Sequence, residues 1–246
     1  MSVVIKASGV TKQVNVQTYH RPALEILHGV NFMASAGEFV SVLGPSGSGK
    51  TTLLRCLSGL TRPTNGEVQI MGNSLSDLSE RQLARLRRTT ISYIFQSYNL
   101  LPALPAFDNI VLPLRLAHQT VDNDQVQRLM NDLHFEADLG QFPNELSGGE
   151  QQKVAIARAL MMQAKIVFAD EPTGALDSIS RHLIFSRLRA LTDAGTCVIM
   201  VTHDIELAAQ TDRALILRDG RLVAPFNQPS EQQLFKAMRA SEKVPS

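Results

Sequence analysis

The sequence predicts an α/β fold, in which a parallel β-sheet is covered by helices. Three observations carry that prediction. First, Phe39 to Leu43, Ile91 to Phe95, Ile166 to Ala169 and Val198 to Val201 are apolar at successive positions, as strands buried on both faces are. Second, apolar residues between these runs recur at helical spacing. Val126, Leu129, Met130 and Leu133 share one helix face, Val154, Ala157, Leu160 and Met161 a second, and Ile184, Leu188 and Leu191 a third. Third, a glycine-rich loop from Gly44 to Thr51 joins the first apolar run to a helix over Thr51 to Leu57. Strands alternating with helices are the mark of this class.

The remaining elements follow along the chain. Segments 3–10, 25–33 and 66–70 read as β-structure with few helical signals between them, which predicts a small antiparallel sheet near the N-terminus. From about Ser97 to Gly149 the pattern is helix and loop, with Pro102, Pro105, Pro113 and Pro143 as breakers, so a mostly helical insertion is expected there. Arg81, Arg85 and Arg88 share a helix face, which predicts a solvated surface or a contact with a membrane subunit or lipid headgroups. After Leu222 the chain turns polar and Gln-rich, and Ser230 is placed to cap a short helix over Glu231 to Met238.

Composition narrows the function. The 246 residues are 44% hydrophobic and 19% charged, an ordinary globular balance. Lys and Arg number 24 against 23 Asp and Glu, for a net charge of +1, so no general electrostatic attraction to nucleic acid is expected. Cys56 and Cys197 each sit in an apolar run and form no zinc or redox motif, which predicts buried free thiols. The first residues lack the charged leader and apolar stretch of a signal peptide. No run approaches the roughly 18 apolar residues of a membrane helix. A membrane span, if the function needs one, is expected on a separate chain.

Gly44-Pro-Ser-Gly-Ser-Gly-Lys50-Thr51 matches the phosphate-binding pattern G-x-x-x-x-G-K-[ST], with a strand before it and a helix after. Gly44, Gly47 and Gly49 let the backbone turn its N–H groups inward around an anion. Lys50 reaches the β- and γ-phosphates as a point charge, and the Thr51 hydroxyl is placed to ligate Mg²⁺. Pro45, Ser46, Ser48 and Thr52 complete the candidate nucleotide-binding set. Kinases, GTPases, helicases and transport ATPases all remain open at this point. Asp170 and Glu171 end the apolar run from Ile166. Asp170 is positioned to hold Mg²⁺ through water, and Glu171 to orient and deprotonate an attacking water.

Leu146-Ser147-Gly148-Gly149-Glu150-Gln151-Gln152 opens an amphipathic helix, with Ser147 as cap and Glu150 as its capping-box partner. This is a second anion-binding helix terminus in one chain. Two subunits arranged head-to-tail would bring one terminus of each kind to each of two nucleotides. The segment resembles the signature motif of ATP-binding cassette (ABC) ATPases, and the family's other motifs follow in order. Gln96 in Ile94-Phe-Gln-Ser resembles the Q-loop, Ala175-Leu-Asp177 the D-loop, and His203 in Val201-Thr-His-Asp the switch histidine.

The resemblance covers roughly residues 3–225, with a helical subdomain at about 97–150 and a polar tail at 226–246. It implies a RecA-like P-loop NTPase core, an antiparallel β subdomain and a helical subdomain bearing the signature. It implies ATP and Mg²⁺ as ligands. Gln96 would ligate Mg²⁺ and relay movement to a partner, and His203 would contact the γ-phosphate beside Glu171. Ser147, Gly148, Gly149, Glu150 and Asp177 would meet the opposite subunit of a homodimer. The family usually stacks an aromatic ring on adenine near Lys12–Val14, where none stands, and Tyr19 is the substitute to consider.

Phe95-Gln-Ser-Tyr-Asn-Leu-Leu-Pro102 and Ala169-Asp-Glu-Pro-Thr-Gly-Ala-Leu-Asp-Ser178 resemble the MacB/LolD/FtsE-like branch. That implies a separate four-span permease, a site of action at the cytoplasmic face of the membrane, and export of a drug, peptide, haem or lipoprotein, or transmission of a mechanical signal. Tyr98, Leu100, Leu101, Leu104 and Phe107 either line a groove for a permease helix or pack the helical subdomain. A solute importer's ATPase is the nearest alternative. A non-transport ABC ATPase is a weaker one, and a P-loop kinase leaves the signature and His203 unexplained.

Overall fold

The computed structural model describes residues 2–14 and 23–240. Two sheets carry the fold. In the smaller one, β1 (Val3–Val14) pairs antiparallel with β2 (Leu24–Ser35) and with β4 (Asn65–Ile70), and β4 pairs with the short β5 (Asn73–Ser74). This is the antiparallel sheet expected near the N-terminus.

The larger sheet has the order β10-β9-β3-β8-β7-β6. It contains β3 (Phe39–Leu43), β6 (Ile91–Ile94), β7 (Ile166–Asp170), β8 (Cys197–Val201) and β9 (Arg213–Arg218), all parallel, with β10 (Arg221–Asn227) returning antiparallel to β9. Every residue of β3, β7 and β8 is buried, which explains their unbroken apolar runs. The β9–β10 pair has no counterpart among the expected strands.

Helix α1 (Lys50–Leu57) lies between the two sheets. Its Leu53, Leu54, Cys56 and Leu57 are buried in one cluster with residues of both. Helix α2 (Glu80–Thr89) carries the arginine stripe, and Arg81, Arg85 and Arg88 are exposed. The insertion is helical as expected, with α3 (Ala106–Leu116), α4 (Asn123–Asp132) and the first part of α5 (Gly148–Met161). Val126, Met130 and Leu133 meet Val154, Ala157 and Met161 in a second core, which also takes Ile184 and Leu188 of α6 (Ser178–Asp193).

Pro113 departs from its expected role as a breaker, because it stands inside α3. Proline removes the hydrogen bond to the carbonyl four residues back, at Asn109. Asn109 is itself anchored, since its side chain accepts from Leu101 N–H at 2.8 Å and donates to Leu104 O at 2.8 Å. The helix is held from outside its own ladder and continues past the proline.

Helix α7 (Ile205–Ala209) follows β8, and α8 (Glu231–Ala240) covers the core edge with Leu234 beside Leu43, Ala208 and Ala214. Ser230 caps α8, accepting from Gln233 N–H at 3.3 Å. Both cysteines are free and buried, and burial pushes the Cys56 thiol up to about 11 and that of Cys197 up to about 12. Among the described residues no helix is long and apolar enough to cross a membrane.

Candidate nucleotide site

The parallel sheet sets the site, because β3, β7 and β8 all end on the same edge. Ligands of open α/β sheets bind at the carboxyl ends of the strands. The loop Gly44–Gly49 follows β3 and closes on itself through Ser48 N–H to Pro45 O, 3.2 Å. A Cβ at Gly44 would stand 2.1 Å from Leu217 O, so only glycine lets the loop pass β9. No side chain caps the N-terminus of α1 at Gly49, which leaves its leading N–H groups for an anion. Lys50 Nζ donates to Gly44 O at 2.8 Å and Pro45 O at 2.9 Å, laying the ammonium along the loop. Burial lowers the Lys50 pKa, and the carboxylates of Glu171 and Asp170 oppose that shift. Thr51 and Thr52 sit half-buried in the first turn of α1.

Asp170 ends β7 and is buried. It accepts hydrogen bonds from Thr51 Oγ1 at 3.1 Å and from the Tyr93 hydroxyl at 3.4 Å. Burial raises its pKa, while the Thr51 and Tyr93 bonds and the charges of Arg55 and Lys50 hold it back. Thr51 and Asp170 therefore present two hard oxygens side by side. Mg²⁺ is commonly bound through one or two protein oxygens with phosphate and water completing the shell. The pair fits that role.

Glu171 has a left-handed backbone, φ 50°, held by its N–H to Val201 O at 3.0 Å. A non-glycine residue in this region costs about 1–3 kcal/mol and is found where the surroundings over-determine it. Its Oε2 lies 2.9 Å from His203 Nδ1. Burial raises the Glu171 pKa, against the opposing effects of His203 and Lys50. His203 is exposed, and Gln96 projects from the loop after β6. Gly44, Pro45, Ser46, Lys50, Gln96, Glu171 and His203 line one cavity of about 560 Å³. Five residues that sequence reasoning did not assign to the cavity join them: Tyr98, Gln152, Gly174, Ala175 and Met238. Only the folded chain reveals these neighbours.

The remaining expected residues are elsewhere. Ser147 caps α5, with its N–H 2.8 Å from Glu150 Oε2 and Glu150 N–H 3.3 Å from Ser147 Oγ, as its sequence predicts. Asp177 caps α6, accepting from Ser180 N–H at 2.9 Å, and that bond lowers its pKa. Ser147, Gly149, Glu150 and Asp177 line a second cavity of about 280 Å³, while Gly148 is exposed beside them. The phosphate loop and the Ser147–Glu150 helix terminus thus line different cavities of one chain, while Gln152 lines the first cavity and Ala175 both. Tyr19 lies outside the described residues.

Of the five residues considered for a groove, Leu100 and Phe107 pack against the helical core and Leu101 is exposed. A groove of about 250 Å³ does exist, lined instead by Phe95, Asn99, Leu112, Pro113 and Leu116 with Arg87 and Arg88.

The ABC transporter family profile matches residues 27–174, which include the phosphate loop, Gln96, the signature segment, Asp170 and Glu171. The chain belongs to the ABC transporter family. It is 44% identical over 221 residues to the macrolide export ATP-binding/permease protein MacB of Nitrosomonas europaea, a match covering 87% of this chain and 33% of MacB. The chain thus spans about a third of the length of its MacB relatives. It is 37% identical over 224 residues to YknY of Bacillus subtilis, an uncharacterized ABC transporter ATP-binding protein, covering 89% of this chain and 95% of YknY. The dimeric post-hydrolysis structure of the ATP-binding cassette MJ0796 bound to ADP and Pi superposes with a TM-score of 0.85 at 36% identity, over 92% of this chain and 99% of that one. The fold is that of an ABC ATPase, with its RecA-like core and two subdomains, and the chain is an ATP-binding ATPase.

Proposed function

We propose that this ATPase works as a homodimer with two Mg-ATP at its interface and drives a separate membrane permease of the exporter-like, MacB-related kind. The observation that carries the dimer is the separation of the phosphate loop from the Ser147–Glu150 helix terminus into different cavities of one chain. Head-to-tail pairing sets Ser147, Gly148, Gly149 and Glu150 of each copy against the ATP held by the other, with Asp177 at the same interface. The dimeric MJ0796 structures support the dimer, and the export named for the MacB relatives, which join ATP-binding and permease parts in one protein, supports the exporter-like part.

The geometry supports the following hydrolytic step. Lys50 and the loop N–H groups hold the β- and γ-phosphates. Glu171 takes a proton from water as that oxygen attacks the γ-phosphorus, and the bond to the β,γ-bridging oxygen breaks to leave ADP and phosphate. His203 lies beside Glu171 to meet the γ-phosphate. Thr51, Asp170 and Gln96 would hold Mg²⁺, which would neutralise charge on the phosphate oxygens.

The ATPase domain spans 3–225, with its helical subdomain at about 97–150. The groove beside Phe95 and Asn99 receives a cytoplasmic helix of the permease, which holds the protein at the cytoplasmic face of the membrane.

The test is Glu171→Gln, which keeps shape and removes the base. ATP binding is expected to persist while turnover falls about 10²-fold or more. The variant should sediment as a dimer with ATP and as a monomer without it. Collapse of nucleotide affinity would make Glu171 structural, and an ATP-bound monomer would remove the dimer.

A further inference from the structure

One short loop runs between two hollows of the molecule. After β6, Gln96 and Tyr98 line the nucleotide cavity, while Phe95 and Asn99 line the groove beneath α3. Tyr98 and Asn99 are both left-handed, with φ of 61° and 54°. Two such residues in succession are costly away from glycine. The loop's own bonds, Tyr98 N–H to Phe95 O at 3.0 Å and Asn99 N–H to Ser97 O at 2.6 Å, close local turns only.

The outside support is Arg158 of α5. Its Nη2 donates to Tyr98 O at 2.8 Å and its Nη1 to Asn99 O at 2.9 Å. Arg158 is half-buried at the groove wall, and burial lowers its pKa. Among the described residues no carboxylate forms an ion pair with it. A half-buried cation whose protein partners are two carbonyls is not needed to fill space, which an apolar side chain does without losing any hydration. The fork is explained by what it grips. The same helix also meets Tyr98 at its other end, since a Cβ at Gly148 would stand 3.2 Å from the Tyr98 hydroxyl.

We propose that Arg158 is a positioning residue for ATP hydrolysis, clamping the Tyr98 and Asn99 carbonyls so that Gln96 and the signature terminus of α5 move as one piece. Arg158 and Asn99 both stand at the groove wall. A helix seated in the groove therefore displaces Gln96 and the Ser147 terminus together. The effect on turnover rests on the role given to Gln96 above, and the clamp itself does not.

The test separates the two. The chain has no Trp, so Ser97→Trp reports on this loop alone. Time-resolved anisotropy of that reporter should show whole-molecule tumbling with Arg158 in place, and added nanosecond motion in Arg158→Met. Arg158→Lys, with one ammonium in place of the fork, should fall between, and it carries the test if the Met variant does not fold. Turnover of Arg158→Met should drop about 10- to 100-fold, the scale of a small misplacement at a reacting centre. Its ATP affinity without Mg²⁺ should stay within about twofold, because the phosphate loop is untouched. Combined with Gln96→Ala, the loss should be no greater than that of the worse single variant.

Unchanged anisotropy in both folded Arg158 variants would overturn the clamp, and multiplying losses in the double variant would overturn joint action with Gln96. If Gln96→Ala alone hydrolyses normally, the reading of Gln96 fails, and the anisotropy still decides for or against Arg158.

Discussion

Asp170 holds its charge in a poor solvent for a carboxylate. It is 2% exposed, and burial raises its pKa above the ordinary value despite its two hydroxyl donors. A folded-state pKa above the unfolded one means the folded chain holds the proton more tightly. The penalty is therefore absent below the unfolded pKa of about 3.9 and grows as pH rises through the folded value. Asp170→Asn removes it. The ligand-free variant is expected to melt above the parent at neutral pH, with the gap closing on acidification, in thermal scans across that range. Hydrolysis should fall about 10²-fold or more, because a charged oxygen facing the metal is gone. A variant that melts lower at neutral pH would mean that the bonds from Thr51 and Tyr93 outweigh the burial cost. Glu171 and His203 make a related pair, and their side-by-side placement was readable from motif order. The Tyr93 bond to Asp170 was not, because its partner lies on a different strand far along the chain.

The elements divide in the same way. The phosphate loop was legible because its chemistry lies in eight consecutive residues between a strand and a helix. The capping box at Ser147 was legible because it spans four consecutive residues. What supports the loop was not. The turn between β9 and β10 presses on it from the far end of the chain: Gly220 N–H donates to Ser48 O at 3.1 Å, and Gly220 O accepts from His28 N–H at 2.9 Å. The hairpin itself was legible in Asp219-Gly220, both left-handed with φ of 44° and 69°, a turn signal that the expected strands left out; its contact with the phosphate loop was not, because nothing local in the sequence joins residues so far apart. Gly220 has φ 69°, and a Cβ there would stand 2.2 Å from Ile26 O. Gly220→Ala must shift either β2 or the turn, at a cost of about 1–3 kcal/mol. Its melting temperature should fall and its ATP affinity should weaken, although residue 220 touches no nucleotide. Full ATP affinity in calorimetric titration of a less stable variant would show that the hairpin supports the fold and not the loop. Gln152 was equally hidden, since its bond to Pro172 O at 2.7 Å fastens α5 behind Glu171 only once the chain is folded.

At the scale of the whole molecule, one chain presents the phosphate loop and the Ser147–Glu150 terminus in two cavities, and this sets the decisive experiment on the proposed assembly. In the head-to-tail arrangement each ATP meets Lys50 of one copy and Ser147-Gly148-Gly149 of the other. Lys50→Ala alone damages both sites of its homodimer, and Ser147→Arg alone does the same. In a mixed dimer both lesions fall in one composite site. The other then keeps a native Lys50 from the Ser147→Arg chain and a native signature from the Lys50→Ala chain. Both chains should also carry Glu171→Gln, so that ATP is bound and not consumed. Sedimentation is expected to show little ATP-dependent dimer from either variant alone and clear recovery from the mixture. Two sites that each needed only their own chain would give no such rescue. Cross-linking fixes the control: heterodimers that form yet show no ATP-dependent gain would exclude the composite site. A symmetric contact that left phosphate loops and signatures apart would fail in the same way, because no pairing of lesions could then restore a whole site. Recovery therefore reports the head-to-tail geometry itself.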